Sequence, residues 1–195
     1  MKVSAYIIDD FYSNVDDVRN HALTQNFNVK GNFPGYRTIS FMNDSIKSTI
    51  ESIVSPIYGK VINWWDLEYT GAYQYTLASN KSWIHADQTT RWAGVCYLTP
   101  NPPTNSGTAL FKHKETGLSS APLLKNGSYD DKLLTKINKD SVDMSAWEMT
   151  DRFANKYNRL IIYKGDCFHS SLDYFGTDIN TSRLFQVFFF NTEIY

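Results

Sequence analysis

Hydrophobic positions change period twice along the chain. Residues 3–8 read as a short strand and 9–13 as a turn, after which Val15, Val18, Ala22 and Leu23 recur at i, i+3, i+7 and i+8. That spacing puts them on one stripe of a helix, with Ser13 or Asn14 placed to cap its first amides. The stretch 31–36, with two glycines and Pro34, breaks the pattern and reads as a loop. A second stripe, Ile46, Ile50, Ile53, Val54 and Ile57, follows the cap candidates Asn43, Asp44 and Ser45 and is the clearest helix in the chain. From Lys60 the signal turns to β: residues 61–67, 72–78, 83–87, 93–99 and 108–112 are short runs rich in branched and aromatic side chains, divided by turn residues such as Gly71, Asn80 and the loop 100–107. Between 117 and 158 the pattern weakens into a polar insertion. Leu133, Leu134 and Ile137 form one helical stripe there, with Trp147, Met149 and Phe153 near a second, and the segment has the character of a lid. Strands return at 160–164, 167–171 and 183–190, the last apolar on both faces and therefore expected at the centre of a sheet.

Short strands at this spacing predict a sandwich or barrel, with a helical part over 1–59 ahead of a β core over 60–195. No repeat, low-complexity tract or linker composition divides the 195 residues, so a single domain is expected. Composition agrees: 42% hydrophobic and 20% charged residues describe a folded globular chain, and 5 Trp, 13 Tyr and 12 Phe lean toward strands and an aromatic-lined interior. A formal net charge of −1 offers no general attraction to nucleic acid or anionic membrane. The lysines at 112, 114, 125, 132, 136 and 139 are the one hint of a polyanion patch and read more simply as a solvated face. Two cysteines, Cys96 and Cys167, are too few for a disulfide framework, and the N-terminus lacks the order of a signal peptide, so the expected setting is a reducing cytoplasm.

The candidate chemistry sits on the histidines. In Trp83-Ile84-His85-Ala86-Asp87 a strand would place His85 and Asp87 on one face, where imidazole and carboxylate can ligate one ion or simply hydrogen-bond. A third ligand is available in His169, within Cys167-Phe168-His169-Ser170-Ser171. Two His and one carboxylate make the facial triad of non-haem iron(II) oxygenases, which leaves open positions for cosubstrate and O₂. Arg183 opens an otherwise apolar strand, an expensive place for a guanidinium unless an anion meets it; that anion could be a ligand or a structural partner such as Asp178. His113, between Lys112 and Lys114, reads as part of a solvated basic turn, and His21 as a surface residue. Cys96 and Cys167 lack the close pairing of zinc ligands and read as small buried residues near the site.

Taken in this order, His85, Asp87, His169 and Arg183 make the sequence resemble the 2-oxoglutarate- and iron(II)-dependent oxygenases. The similarity runs from about 72 to 190 and is nearest to the prolyl-4-hydroxylase-like branch and to related bacterial and phage oxygenases. Two further stretches carry it. Tyr75 lies ten residues before His85, and Val95-Cys96-Tyr97-Leu98 resembles the strand after the His-x-Asp pair. Ser106-Gly107-Thr108-Ala109-Leu110-Phe111 resembles a Gly-Gly-Thr-x-Phe strand, with Ser106 in place of the first glycine. The resemblance implies a double-stranded β-helix of jelly-roll, cupin-like type. It implies iron(II) on His85, Asp87 and His169, and 2-oxoglutarate as cosubstrate bound by Arg183, Tyr75 and Tyr97. It further implies O₂ as oxidant, ascorbate as a stimulant, and hydroxylation of a C–H bond in a peptide side chain or small metabolite, with a nucleic-acid substrate less favoured. Two alternatives stay open: a non-catalytic cupin-like binding module, and a metal-dependent hydrolase or isomerase on the same scaffold. The loops around Trp64, Trp65 and Arg91-Trp92, together with 117–158, are the expected walls of a substrate channel.

Overall fold

In the computed structural model, residues 3–65 and 69–194 are described. The predicted strand 61–67 is present as β3 (Val61–Trp64), while its expected end at Leu67 lies outside the described residues. Helix α1 spans Val15–Leu23 and α2 spans Asp44–Tyr58, both where the 3.6-residue period places them. The Asn43 side chain accepts the Ile46 amide at 2.9 Å and closes the start of α2. Such a cap contributes about 1 kcal/mol. Burial of Ile46, Ile50, Val54 and Tyr58, at roughly 1.5–3 kcal/mol each, outweighs it, so packing decides where this helix lies.

What the helices pack against is the outer face of a seven-stranded antiparallel sheet, in which β3 pairs with the end of β10 (Arg183–Thr192). The remaining strands run in the order β1 (Ala5–Ile8), β8 (Leu160–Lys164), β5 (Trp92–Tyr97), β10, β4 (Ala72–Thr76) and β2 (Tyr36–Ser40). Strand β10 is central, as its two apolar faces require. Leu184, Phe188 and Phe190 join the helices and Trp92 in one core cluster, while Phe185, Val187 and Phe189 point the other way with Ala93, Val95, Tyr97 and Ile161. A smaller sheet, β7 (Trp147–Phe153), β6 (Thr108–His113) and β9 (His169–Ser171), closes over that second face, with Leu110 and Phe153 completing the inner core. The result is a mainly β jelly-roll with two antiparallel sheets.

Three expectations are corrected. Residues 83–87 do not form a continuous strand: only His85 makes a bridge, antiparallel to His169, which adds the segment to the small sheet at one point. The second helical stripe, Trp147, Met149 and Phe153, is strand β7, buried only at its two ends and exposed over the five residues between. The insertion 117–158 is no lid. Its helix α3 (Asp131–Asn138) buries Leu134 and Ile137 with Ile84, Phe111, Trp147 and Phe168 behind the small sheet, making a third core cluster.

Candidate metal centre

Between the sheets lies a cavity of about 560 Å³. At one side of it the single bridge of 83–87 does its work: the His85 amide donates to the His169 carbonyl at 3.0 Å and the His169 amide returns to His85 at 2.8 Å. This pairing sets the two imidazoles 4.4 Å apart between centroids. Both rings are oriented from behind, because Nδ1 of His85 donates to the Trp83 carbonyl at 3.2 Å and Nδ1 of His169 to the Cys167 carbonyl at 2.8 Å. A carbonyl can only accept, so each Nδ1 carries a proton, and in the neutral imidazole each Nε2 presents its lone pair to the centre. Asp87 completes the set, Oδ1 standing 3.9 Å from His85 Nε2 and Oδ2 3.7 Å from His169 Nε2. Its amide donates to the Gly165 carbonyl at 2.7 Å, and a Cβ on Gly165 would meet the Thr90 carbonyl at 2.5 Å, so the turn under the carboxylate needs glycine.

One donor atom from each of the three residues lies within 4.8 Å of the others. Metal bonds of about 2.1 Å place donors on one face roughly 3.0–3.4 Å apart, so the 3.7 and 3.9 Å separations need each to close by less than about 1 Å. Burial and the neighbouring His85 push the pKa of His169 down to about 4, so its imidazole is neutral near pH 7, the state a metal requires. The donor set therefore fits a divalent first-row ion on one face, with the cavity on the other side.

Arg183 is fully buried and is not itself among the residues lining this space, but it lies against two that are, Phe185 and Tyr174. Its Nε donates to the Ser106 carbonyl at 2.8 Å and Nη2 to the Gly107 carbonyl at 3.3 Å, while its guanidinium lies 4.4 Å from the Phe185 ring centre. No carboxylate pairs with it among the described residues, and Asp178 instead accepts the amides of Asn180 and Thr181. Nη1 of Arg183 is buried with no hydrogen bond, and so is the hydroxyl of Tyr174, whose ring lies 6.0 Å from the guanidinium. Two orphaned donors at one place form a cradle for an anion. Ser106, the departure from the glycine pattern, is at home here: its hydroxyl donates to the Pro103 carbonyl at 2.5 Å and accepts from Asn155 at 3.1 Å.

The two tyrosines divide. Tyr97 is buried on the inner face, its hydroxyl 2.9 Å from that of Thr108, a cavity-lining residue, with the Arg183 guanidinium 5.3 Å from its ring. Tyr75 is placed on the opposite face of β4, stacked on Tyr36 at 4.9 Å and edge-on to Phe27, so the expected contact with a cosubstrate is not where the chain puts it. Gln74 takes the inner face instead. Sequence reasoning missed Tyr174, which sits among turn residues with no periodic signal, and it missed Arg37. Arg37 lines the cavity from β2, 8% exposed, with Nε and Nη2 both donating to Gln74 Oε1.

Of the expected channel walls, Trp65 lines the cavity, whereas Trp64 packs on Phe190 and Trp92 is wholly buried. No residue of 117–158 is among those lining it; the loop 31–34 serves there. His113 is no solvated turn residue: it is 1% exposed, held by Thr116 Oγ1 and Asp140 Oδ2, each at 3.0 Å. With both ring nitrogens engaged and Glu115 paired to Lys136, the cluster His113, Glu115, Asp140 pins α3 to the small sheet. Lys112 and Lys136 face Glu148 and Glu115, a solvated and locally neutralised surface. Cys96 is buried on the far side of the large sheet, its thiol pKa raised by burial, and Cys167 lends its carbonyl to His169.

A family model described as "Family of unknown function (DUF6445)" matches residues 2–184. No curated protein matches. Among solved structures, the chain is similar to HygX from Streptomyces hygroscopicus with nickel, 2-oxoglutarate and hygromycin B bound, at 10% identity, covering 98% of this chain and 84% of that one, with a TM-score of 0.62. HygX with nickel and 2-oxoglutarate alone gives 8% identity and a TM-score of 0.61. A prolyl hydroxylase from Trichoplax adhaerens, in complex with a hypoxia inducible factor oxygen degradation domain peptide fragment, is similar at 14% identity over 96% of this chain and 83% of that one, with a TM-score of 0.51. At these identities the likeness is one of fold. No helix among the described residues is long and apolar enough to cross a membrane.

Proposed function

We propose that this chain, which belongs to the DUF6445 family, is an iron(II)- and 2-oxoglutarate-dependent oxygenase that hydroxylates a C–H bond. The observation that carries the reading is the pairing of two half-sites: three ligands lining the cavity with both imidazole Nε2 atoms turned inward, and, behind the cavity-lining Tyr174 and Phe185, a buried arginine with an orphaned Nη1. HygX holds nickel and 2-oxoglutarate on the same fold, which agrees with it. When bound, iron(II) with 2-oxoglutarate and O₂ supplies the oxidising chemistry, with succinate and CO₂ as coproducts.

The chain's own residues supply geometry and a dry site. His85, Asp87 and His169 hold the ion, the two backbone-anchored Nδ1 atoms fixing the rings. Tyr163 packs edge-on to His169 at 4.8 Å and holds the ring from the side. Arg183 takes the distal carboxylate of 2-oxoglutarate with the help of the Tyr174 hydroxyl, and Tyr97 orients Thr108 beside it. Phe185 and Val187 line the cavity and exclude water. The free cysteines, Cys96 and Cys167, agree with work in a reducing cytoplasm.

Calorimetry on protein loaded with iron(II) under nitrogen tests the reading. We expect 2-oxoglutarate to bind only after the metal, and His169→Ala to lose both. Binding of neither ligand at millimolar concentration would overturn it. A hydrolase or isomerase on this scaffold would keep its activity in Arg183→Ala, which the oxygenase would not.

A further inference from the structure

A second buried cation lines the cavity directly, and no role above uses it. Arg37 stacks its guanidinium on the Phe33 ring at 3.8 Å, with Tyr69 at 5.8 Å. Its Nε and Nη2 both converge on one neutral oxygen, Gln74 Oε1, at 2.9 and 2.5 Å. Gln74 is itself fixed, Nε2 donating to the Pro34 carbonyl at 2.6 Å, so the amide oxygen cannot turn away. Arg37 has no carboxylate partner among the described residues, and its Nη1 makes no hydrogen bond there. A guanidinium buried this far without a counterion is costly, and an anionic ligand in the cavity would supply the missing charge.

Charge accounting identifies that ligand. Among the described residues the one carboxylate lining the cavity is Asp87, whose field reaches Arg37 and which would hold the metal. On the reading above, the divalent ion and Arg183 are balanced by Asp87 and the two carboxylates of 2-oxoglutarate. Among the described residues Arg37 is left as one uncompensated positive charge. A monoanion matches it, whereas a phosphate monoester dianion exceeds it. The surroundings are aromatic, with Phe33, Tyr69, Trp65 and Trp83 about the same opening, and a volume of about 560 Å³ is that of a small-molecule site.

We infer that Arg37, positioned by Gln74 and Phe33, is the substrate-anchoring residue, and that the substrate is a small molecule carrying a single carboxylate beside an apolar or aromatic body. This rests on the oxygenase reading and adds the substrate class to it.

The test uses protein loaded with manganese(II) and saturating 2-oxoglutarate, titrated calorimetrically with N-acetyl-L-amino acids, each paired with its primary amide, and with phosphate monoesters of matched size. We expect at least one acid to bind at least tenfold more tightly than its amide, the amount one charge-assisted contact confers. Arg37→Met should bring acid and amide to parity. Gln74→Glu should do the same in a folded protein, because it places a carboxylate where Gln74 Oε1 now meets the guanidinium. A purely structural Arg37 would leave acid-over-amide selectivity unmoved in both variants. The inference is overturned if no acid binds, if acid and amide bind alike in the parent protein, if either variant keeps the selectivity, or if phosphate monoesters bind more tightly than the acids. Titration of 2-oxoglutarate into the metal-loaded parent separates the two layers. Its failure to bind sinks the oxygenase reading, and its binding with acid-amide parity sinks this inference alone.

Discussion

Replacing Arg183 by methionine separates a ligand's arginine from a structural one. In the folded chain the change removes the bond to the Ser106 carbonyl at 2.8 Å, while the Gly107 carbonyl keeps the Leu172 amide at 2.9 Å. One buried carbonyl left bare costs about 1–3 kcal/mol. Against that, the variant no longer buries an unbalanced cation, which is worth about the same or more. The two nearly cancel, so the unfolding free energy from urea denaturation should change by no more than about 2 kcal/mol in either direction. Binding of 2-oxoglutarate has no such compensation. Loss of the charge-assisted contact at Nη1 is worth about 3 kcal/mol, close to a hundredfold in Kd. Calorimetry on iron(II)-loaded protein under nitrogen reads this directly, and Arg183→Lys, which keeps the charge and loses the planar fork, should fall between. An affinity within threefold of the parent in a folded Arg183→Met protein would refute the assignment and leave the orphaned Nη1 without a ligand.

Three further outcomes follow from the same geometry. Leu134→Ala should destabilise by about 2–4 kcal/mol through a cavity behind the small sheet while leaving 2-oxoglutarate affinity within twofold; a parallel loss of affinity would make the insertion part of the site after all. Gly107→Ala would set a Cβ 1.8 Å from the Phe153 carbonyl and should cost about 3 kcal/mol or more, measured by thermal unfolding; a neutral result would contradict the close approach of β6 to β7. Asp9 is held well below the usual carboxylate range by hydrogen bonds from Arg159 and Lys156, so its contribution is present above the unfolded carboxylate pKa of about 4 and is lost as pH falls below it. With a partly exposed pair, Asp9→Asn should lower stability by only about 1 kcal/mol at pH 6 and by less toward pH 2, and urea midpoints that do not converge in acid would count against it.

Much of this was legible in the sequence where burial follows hydrophobicity. The stripes of α1 and α2, the doubly apolar β10 and the spacing of His85, Asp87 and His169 all carry their placement in residue type. The failures lie where polar residues are buried or apolar ones are not. Strand β2 escaped because its two buried positions are Arg37 and Thr38, which a hydropathy pattern counts as surface. Strand β7 shows no alternation because only its end residues are covered. Tyr75 missed the cavity by one step of strand parity: in β4 the inner face belongs to Ala72 and Gln74, and a neighbour in sequence faces the other way. His113 looked solvated between two lysines, yet the turn of β6 puts it against Trp147 at 4.9 Å and Asp140. Trp83 to Asp87 needed no full strand, because one bridge at His85 suffices to aim both ligands.

The most direct measurement is the fate of 2-oxoglutarate itself. Purified protein with iron(II), 2-oxoglutarate, ascorbate and O₂ should release succinate and CO₂, and His169→Ala should reduce the release to the rate of free iron(II) in the same buffer. No succinate above that background from the parent protein, or equal succinate from parent and variant, would contradict the account at its centre.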